Sequence, residues 1–187
     1  MNEWKDISYL KNGTPSQQSA FLCLNKLGIF DDLKSFSPTL VSTVCLDIDT
    51  ETSDLDIICH APCSAEFCRA VTLIYRDLDD FTITPLEGAT VCLFRFAGWE
   101  IEIYAQPLPV IKQRAYLHLC QTSRVLQFGG APFRNAIRAL KEVGVKTEPA
   151  VAQCLGLTGD PYQGVEDLIK LSDQELQSLL NKQSSLL

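Results

Sequence analysis

No apolar run in the 187 residues approaches the roughly 18 to 20 needed to cross a bilayer, which excludes a membrane-spanning helix. The opening MNEWKDISYLKNG carries acidic side chains and no apolar core segment, so it does not read as a secretory signal. A cytoplasmic protein is expected. Histidine is scarce: only His60 and His118 are present, too little material for a Ser–His or Cys–His hydrolase. His118 reads as a packed or surface histidine. The eight cysteines contain no C-x-x-C pair, the short spacing that structural zinc sites need. Cys59, His60, Cys63 and Cys68 form the one tempting cluster and are not expected to hold zinc. Without a signal the thiols should stay reduced, and Cys23, Cys45, Cys92 and Cys154 sit in apolar company as small hydrophobes. Positive charge is short too. The net charge of −7 gives no general attraction to nucleic acid and favours a small molecule or a protein as partner. Internal repeats are absent.

What remains is an ordinary globular composition, 46% hydrophobic and 21% charged, with one stretch that a neutral core would not need. Thr39 to Cys59 reads TLVSTVCLDIDTETSDLDIIC. In a strand, Asp54 and Asp56 share one face while Leu55 and Ile57 share the other. The rest of the segment is apolar, so the strand should lie inside a sheet, where carboxylates are seldom left without a partner. Two adjacent carboxylates repel unless a cation sits between them, and a divalent ion is the usual solution. A Mg²⁺ site is therefore expected. Val41 to Ile48 is β-rich and joined to the acidic strand by Asp49–Thr52, which predicts a hairpin. A further acidic pair alternates with apolar residues in Trp99-Glu100-Ile101-Glu102-Ile103-Tyr104, again on one face.

A hydroxyl-bearing turn, a strand with Ser53-Asp54-Leu55-Asp56, and a third carboxylate on a neighbouring strand resemble the nucleotidyltransferase superfamily with its polymerase-beta-like palm. The resemblance is closer to one branch of about this length, a domain of unknown function. It runs through Pro38-Thr39-Leu40, Ser53 to Cys59, Ile101 to Gln106, Gln113 to Tyr116, Lys146 to Ala150 and Gly159 to Tyr162, from about Lys11 to Leu168. It implies an NTP as substrate, one or two Mg²⁺ held by Asp54, Asp56 and Glu102, and an NMP moved to a hydroxyl on a small molecule or protein. Glu100 is the alternate third carboxylate. Ser42, Thr43 and Ser53 would contact the phosphates, and Gln113, Arg114, Tyr116 and Arg124 would form a nucleotide-binding wall. Where the superfamily has Gly-Ser, or Gly-Thr in this branch, the chain reads Ser42-Thr43, placing a Cβ where phosphate approaches closely. Two competing classes are a palm-like module without catalysis and a metal-dependent phosphohydrolase. The second lacks metal-ligating histidines near the acids.

The expected fold is α+β: a small mixed or antiparallel nucleotidyltransferase-like sheet with flanking helices, then an all-helical part. Residues 1–106 would form the palm, and 107–187 a helical region packed on it. Helices are predicted over Pro15–Leu27 (capped by Thr14 or Ser16 and closed by Gly28), in a short piece within Phe30–Phe36, and in a stretch opened by Pro62 and Ser64 that runs through Phe67, Val71, Ile74 and Tyr75. Strands are predicted at Phe81–Thr84, Ala89–Ala97 and Trp99–Gln106, the last two turned by Gly98. Five helices follow: Pro109–Gln127, Pro132–Val143, Glu148–Leu157, Pro161–Leu171 and Ser172–Lys182, the last opened by a Ser172/Glu175 capping box. Asn181–Ser185 should fray. Arg134, Arg138 and Lys141 share one helix face, either solvated or lining a cleft.

Overall fold

The computed structural model describes residues 4–183. It is α+β: one five-stranded mixed sheet with flanking helices, then a helical C-terminal part, with seven helices in all among the described residues. The contacts divide into two compact units. One holds the described residues up to Cys45 together with Ser53–Gln113; the other holds Leu46–Thr52 and the described residues from Arg114 onward. Among the described residues no helix is long and apolar enough to cross a membrane.

In the first unit, α1 (Pro15–Leu27) forms as the cap residues dictate. The Thr14 hydroxyl accepts from the Gln17 backbone N–H, the Gln17 side chain accepts from the Thr14 N–H, and left-handed Gly28 closes the helix. A single turn, α2 (Ile29–Asp32), and a 3-10 turn at Lys34–Phe36 follow. The sheet order is β1-β2-β5-β4-β3, with β1 (Thr39–Leu40), β2 (Leu55–His60), β3 (Asp79–Leu86), β4 (Ala89–Phe96) and β5 (Trp99–Gln106). Only β2 and β5 run parallel; every other pairing is antiparallel. The β4–β5 hairpin turns through Ala97 and Gly98, both at positive φ, the backbone that a tight two-residue hairpin loop demands.

One face of the sheet is the core. Leu55, Ile57 and Cys59 of β2, Ile101 and Ile103 of β5, and Cys92 and Phe94 of β4 are buried. Helix α3 (Ser64–Tyr75) buries Phe67, Val71 and Tyr75, and the Tyr75 ring stacks on Phe94 at 4.9 Å between centroids. The cysteines are all free thiols. Burial pushes those of Cys45 and Cys59 up to about 12, so they pack as apolar groups and have little thiolate character.

Two sequence expectations need correction. Val41–Ile48 is not a strand: β1 stops after Leu40 and Thr43–Leu46 winds into a 3-10 turn. Ser42 is the cause, because its hydroxyl accepts the Val44 N–H while its carbonyl accepts the Cys45 N–H. β3 is twice its predicted length, since Asp79, Asp80 and Pro85 read as breakers. As an edge strand it tolerates Pro85, whose missing N–H the ladder does not need.

In the second unit, α4 (Arg114–Glu142) joins the two helices predicted over this stretch, with Gly130 at φ 63°, ψ −153° as the joint between its arms. Pro109–Gln113 instead forms a 3-10 turn and an extended residue. Then come α5 (Thr147–Cys154), α6 (Pro161–Asp167) and α7 (Asp173–Gln183). The predicted capping box opens α7: Ser172 N–H and hydroxyl donate to Glu175, whose N–H returns to the Ser172 hydroxyl. The predicted fraying at Asn181–Ser185 falls partly outside the described residues, and Asn181–Gln183 is helical. Arg138 donates to the carbonyl and carboxylate of Asp47, and Arg134 reaches the same carboxylate at 3.6 Å. Two residues of that basic face therefore fasten the Leu46–Thr52 segment.

Candidate active site

The carboxylates meet through strand register. β2 pairs with β5 so that Asp56 stands beside Glu102, and paired residues on neighbouring strands project to the same side of the sheet. Asp54 lies two residues before Asp56, and Glu100 two before Glu102, so all four acids belong to the face opposite the apolar core. Alternation along β5 is strict, with Ile101, Ile103 and Ala105 buried and Glu102, Tyr104 and Gln106 half-buried.

Glu102 carries the electrostatic signature of the site. Its pKa is raised, first by burial and then by the negative charges of Asp54 and Glu100. No cation pairs with it among the described residues. Glu100 is engaged elsewhere: Arg95, its cross-strand partner on β4, binds it at 2.8 Å and Asp80 at 3.1 Å. That contrast favours Glu102 over Glu100 as the third carboxylate. The donors are all carboxylate oxygens, the chemistry that Mg²⁺ prefers. As they stand, no three His, Cys, Asp or Glu side chains among the described residues form a group arranged to hold a metal ion. The acids share a face without converging on one point.

Replacing Glu102 tests its strained ionisation. Its proton is held more tightly in the fold than in the unfolded chain. Below the ordinary value of 4.5 both states are protonated and nothing is lost. As pH rises past that value the unfolded chain ionises first, stability falls, and the full cost persists once Glu102 itself ionises. Glu102→Gln should therefore raise the melting temperature at pH 7.5. The gain should disappear near pH 4, and thermal melts at the two pH values check both.

The turn beneath the acids contains all three predicted hydroxyls. Ser42 is fully buried, and its Oγ donates to the Asp54 carbonyl at 2.6 Å. It therefore holds the backbone entering β2. Thr43 and Ser53 are half-buried and hydrogen-bonded to each other at 3.3 Å, so they are the hydroxyls that reach the surface of the turn.

The remaining predicted contacts are spread over both units. Gln113 belongs to the first, where it is buried and its amide donates to the Cys59 and Leu108 carbonyls. The other three lie on α4 in the helical unit. Arg114 is exposed and pairs with Glu166; Tyr116 is half-buried. Arg124 donates to Gln121, the Leu168 and Leu171 carbonyls and Asp173, lashing α4 to the start of α7. Composition and spacing did not single out Glu148 and Glu166, which flank His118. They lie far from it in sequence, and only helix packing brings them there.

Residues 22–168, most of the chain, match the family described as Domain of unknown function (DUF4269), and the protein belongs to that family. No curated protein and no solved structure matches it.

Proposed function

We propose that the protein is a Mg²⁺-dependent nucleotidyltransferase that moves an NMP from an NTP to a hydroxyl of a small molecule or protein, the α–β phosphoanhydride bond breaking to release pyrophosphate. One observation carries this reading: the parallel β2–β5 register pairs Asp56 of the S-D-L-D strand with Glu102 on the sheet face opposite Leu55, Ile57 and Ile101, with Asp54 near enough to raise Glu102's pKa. Asp54 and Asp56, with Glu102, are the residues that would hold the ion. Magnesium, when bound, supplies charge neutralisation for the transferring phosphoryl group. Thr43 and Ser53 offer hydroxyls to the phosphates, and Ser42 fixes the turn from below. Glu102 would ligate the ion near the acceptor hydroxyl and take its proton. Positioning and charge carry such a transfer, and little covalent chemistry falls to the protein. The free thiols of Cys45 and Cys59, buried among apolar side chains, support a cytoplasmic location.

A second reading, a palm-like module without catalysis, is favoured by Ser42 alone. Its hydroxyl is buried and committed to the Asp54 carbonyl, and a side chain stands where the superfamily keeps glycine. Incubation with each of the four labelled NTPs and Mg²⁺ separates the two. Label on a small molecule or on the protein, lost with EDTA, is the expected result. NTP binding without any transfer across all four would establish the module instead.

A further inference from the structure

His118 sits on the first arm of α4 and is buried, 8% exposed as a residue. Nδ1 lies 3.0 Å from Glu148 Oε1 at the start of α5, and Nε2 lies 3.2 Å from Glu166 Oε1 near the end of α6. Arg114, one turn earlier on α4, pairs with that same Glu166 oxygen. The remaining groups around the cluster are few. Lys141 of α4 acts on Glu148, Asp160 at the start of α6 acts on Arg114, and the Tyr162 ring leans over the imidazole at 6.1 Å.

A neutral imidazole has one N–H and one lone pair. With ionised carboxylates at both nitrogens, the neutral ring must point its lone pair at an anion. The imidazolium satisfies both contacts. It also balances the cluster, two cations (His118 and Arg114) against two carboxylates, whereas the neutral ring leaves one half-buried negative charge uncompensated. We propose that His118 is a proton-operated clasp that closes α5 and α6 onto α4, making the helical unit responsive to pH.

The ionisation tendencies agree with the geometry. Burial alone would lower the His118 pKa, but the hydrogen bond and charge of Glu148 and the charge of Glu166 outweigh it, and the net shift is upward. For Glu148 burial pushes upward, yet its bond to His118 leaves it lowered overall. The signs follow. The histidine's contribution is complete below its ordinary 6.5 and is lost as pH rises through its raised value. The glutamate's is complete above its ordinary 4.5 and is lost as pH falls through its lowered value. The clasp is thus fully made between those two ordinary values and loosens above them.

Two measurements on the full chain test this. With only two histidines, proton NMR can follow both ring signals, and His60→Gln identifies which is His118. His118 should titrate above 6.5, and Glu166→Gln should bring its titration down. Amide exchange, corrected for the intrinsic pH dependence, should show protection of α5 and α6 falling several-fold from pH 6 to pH 9, while β2 and β5 keep theirs. His118→Gln should give pH-independent protection at the looser level. A His118 that titrates at or below 6.5 in the wild-type chain would overturn the clasp whatever the variants do. So would protection of α5 and α6 that stays constant from pH 6 to pH 9.

Discussion

Asp54→Asn and Asp56→Asn should each abolish Mg²⁺-dependent NTP binding in isothermal titration while leaving the fold intact. The substitutions keep side-chain size and remove the charge. The backbone contacts that hold this strand are untouched, since the Ser42 hydroxyl bonds the Asp54 carbonyl and the Val41 N–H bonds the Asp56 carbonyl. Exchange of a single partner around a bound metal commonly costs about 10–100-fold in affinity, and direct loss of a charged ligand should exceed that. Unfolding gives an independent reading. An ion present at 100 times its dissociation constant stabilises the wild type by about 2.7 kcal/mol, and both variants should lose this increment. Without Mg²⁺ the Asp54 variant should be no less stable than the wild type, because it relieves the charge that raises Glu102's pKa. MgATP affinity unchanged in both variants would leave the sheet face without its proposed ion.

Phe133→Ala should cost about 3–5 kcal/mol, the largest effect expected outside the carboxylate face. The ring is fully buried at the start of the second arm of α4 and fills the space left by a missing side chain. A Cβ built on Gly129 would lie 2.6 Å from Phe133 Cδ2 and 2.7 Å from Cγ, closer than real carbon atoms approach. Gly129→Ala alone therefore forces the ring out of place. Combined with Phe133→Ala it should cost less than the sum of the two, because both ring contacts are gone and only the residue-133 Cβ, 2.9 Å from the built methyl, still presses on it. Chemical denaturation followed through the helical unit, with a full double-mutant cycle, gives the coupling. Strict additivity would mean that ring and glycine do not share one space.

The elements that the sequence announces are those decided within a few residues. Thr14 with Gln17 and Ser172 with Glu175 each close a reciprocal pair three positions apart, so α1 and α7 begin where the residues say. Alternation of acids and aliphatics in Trp99–Gln106 is a local record of which side of β5 meets the core, and the burial follows it. Val41–Ile48 misleads because β-branched composition competes there with a single serine hydroxyl, and the hydroxyl's backbone bonds win. At the candidate site the two acidic segments were legible, but which acid of β5 stays unpaired was not. Arg95 decides that from a third strand by taking Glu100. The surroundings of His118 were illegible for a similar reason, since its partners arrive on two other helices.

The single parallel ladder has a further consequence. Its strands are separated in the chain by α3, β3 and β4, so no tight turn sets their alignment. Side chains alternate with period two, and a frameshift of one residue in this ladder would send Glu102 into the aliphatic interior and Ile101 or Ile103 into water. The apolar penalty that forbids such a slip is thus also what keeps the four acids on one face. Any folded molecule has its acids in phase, and a misaligned one should be lost to unfolding.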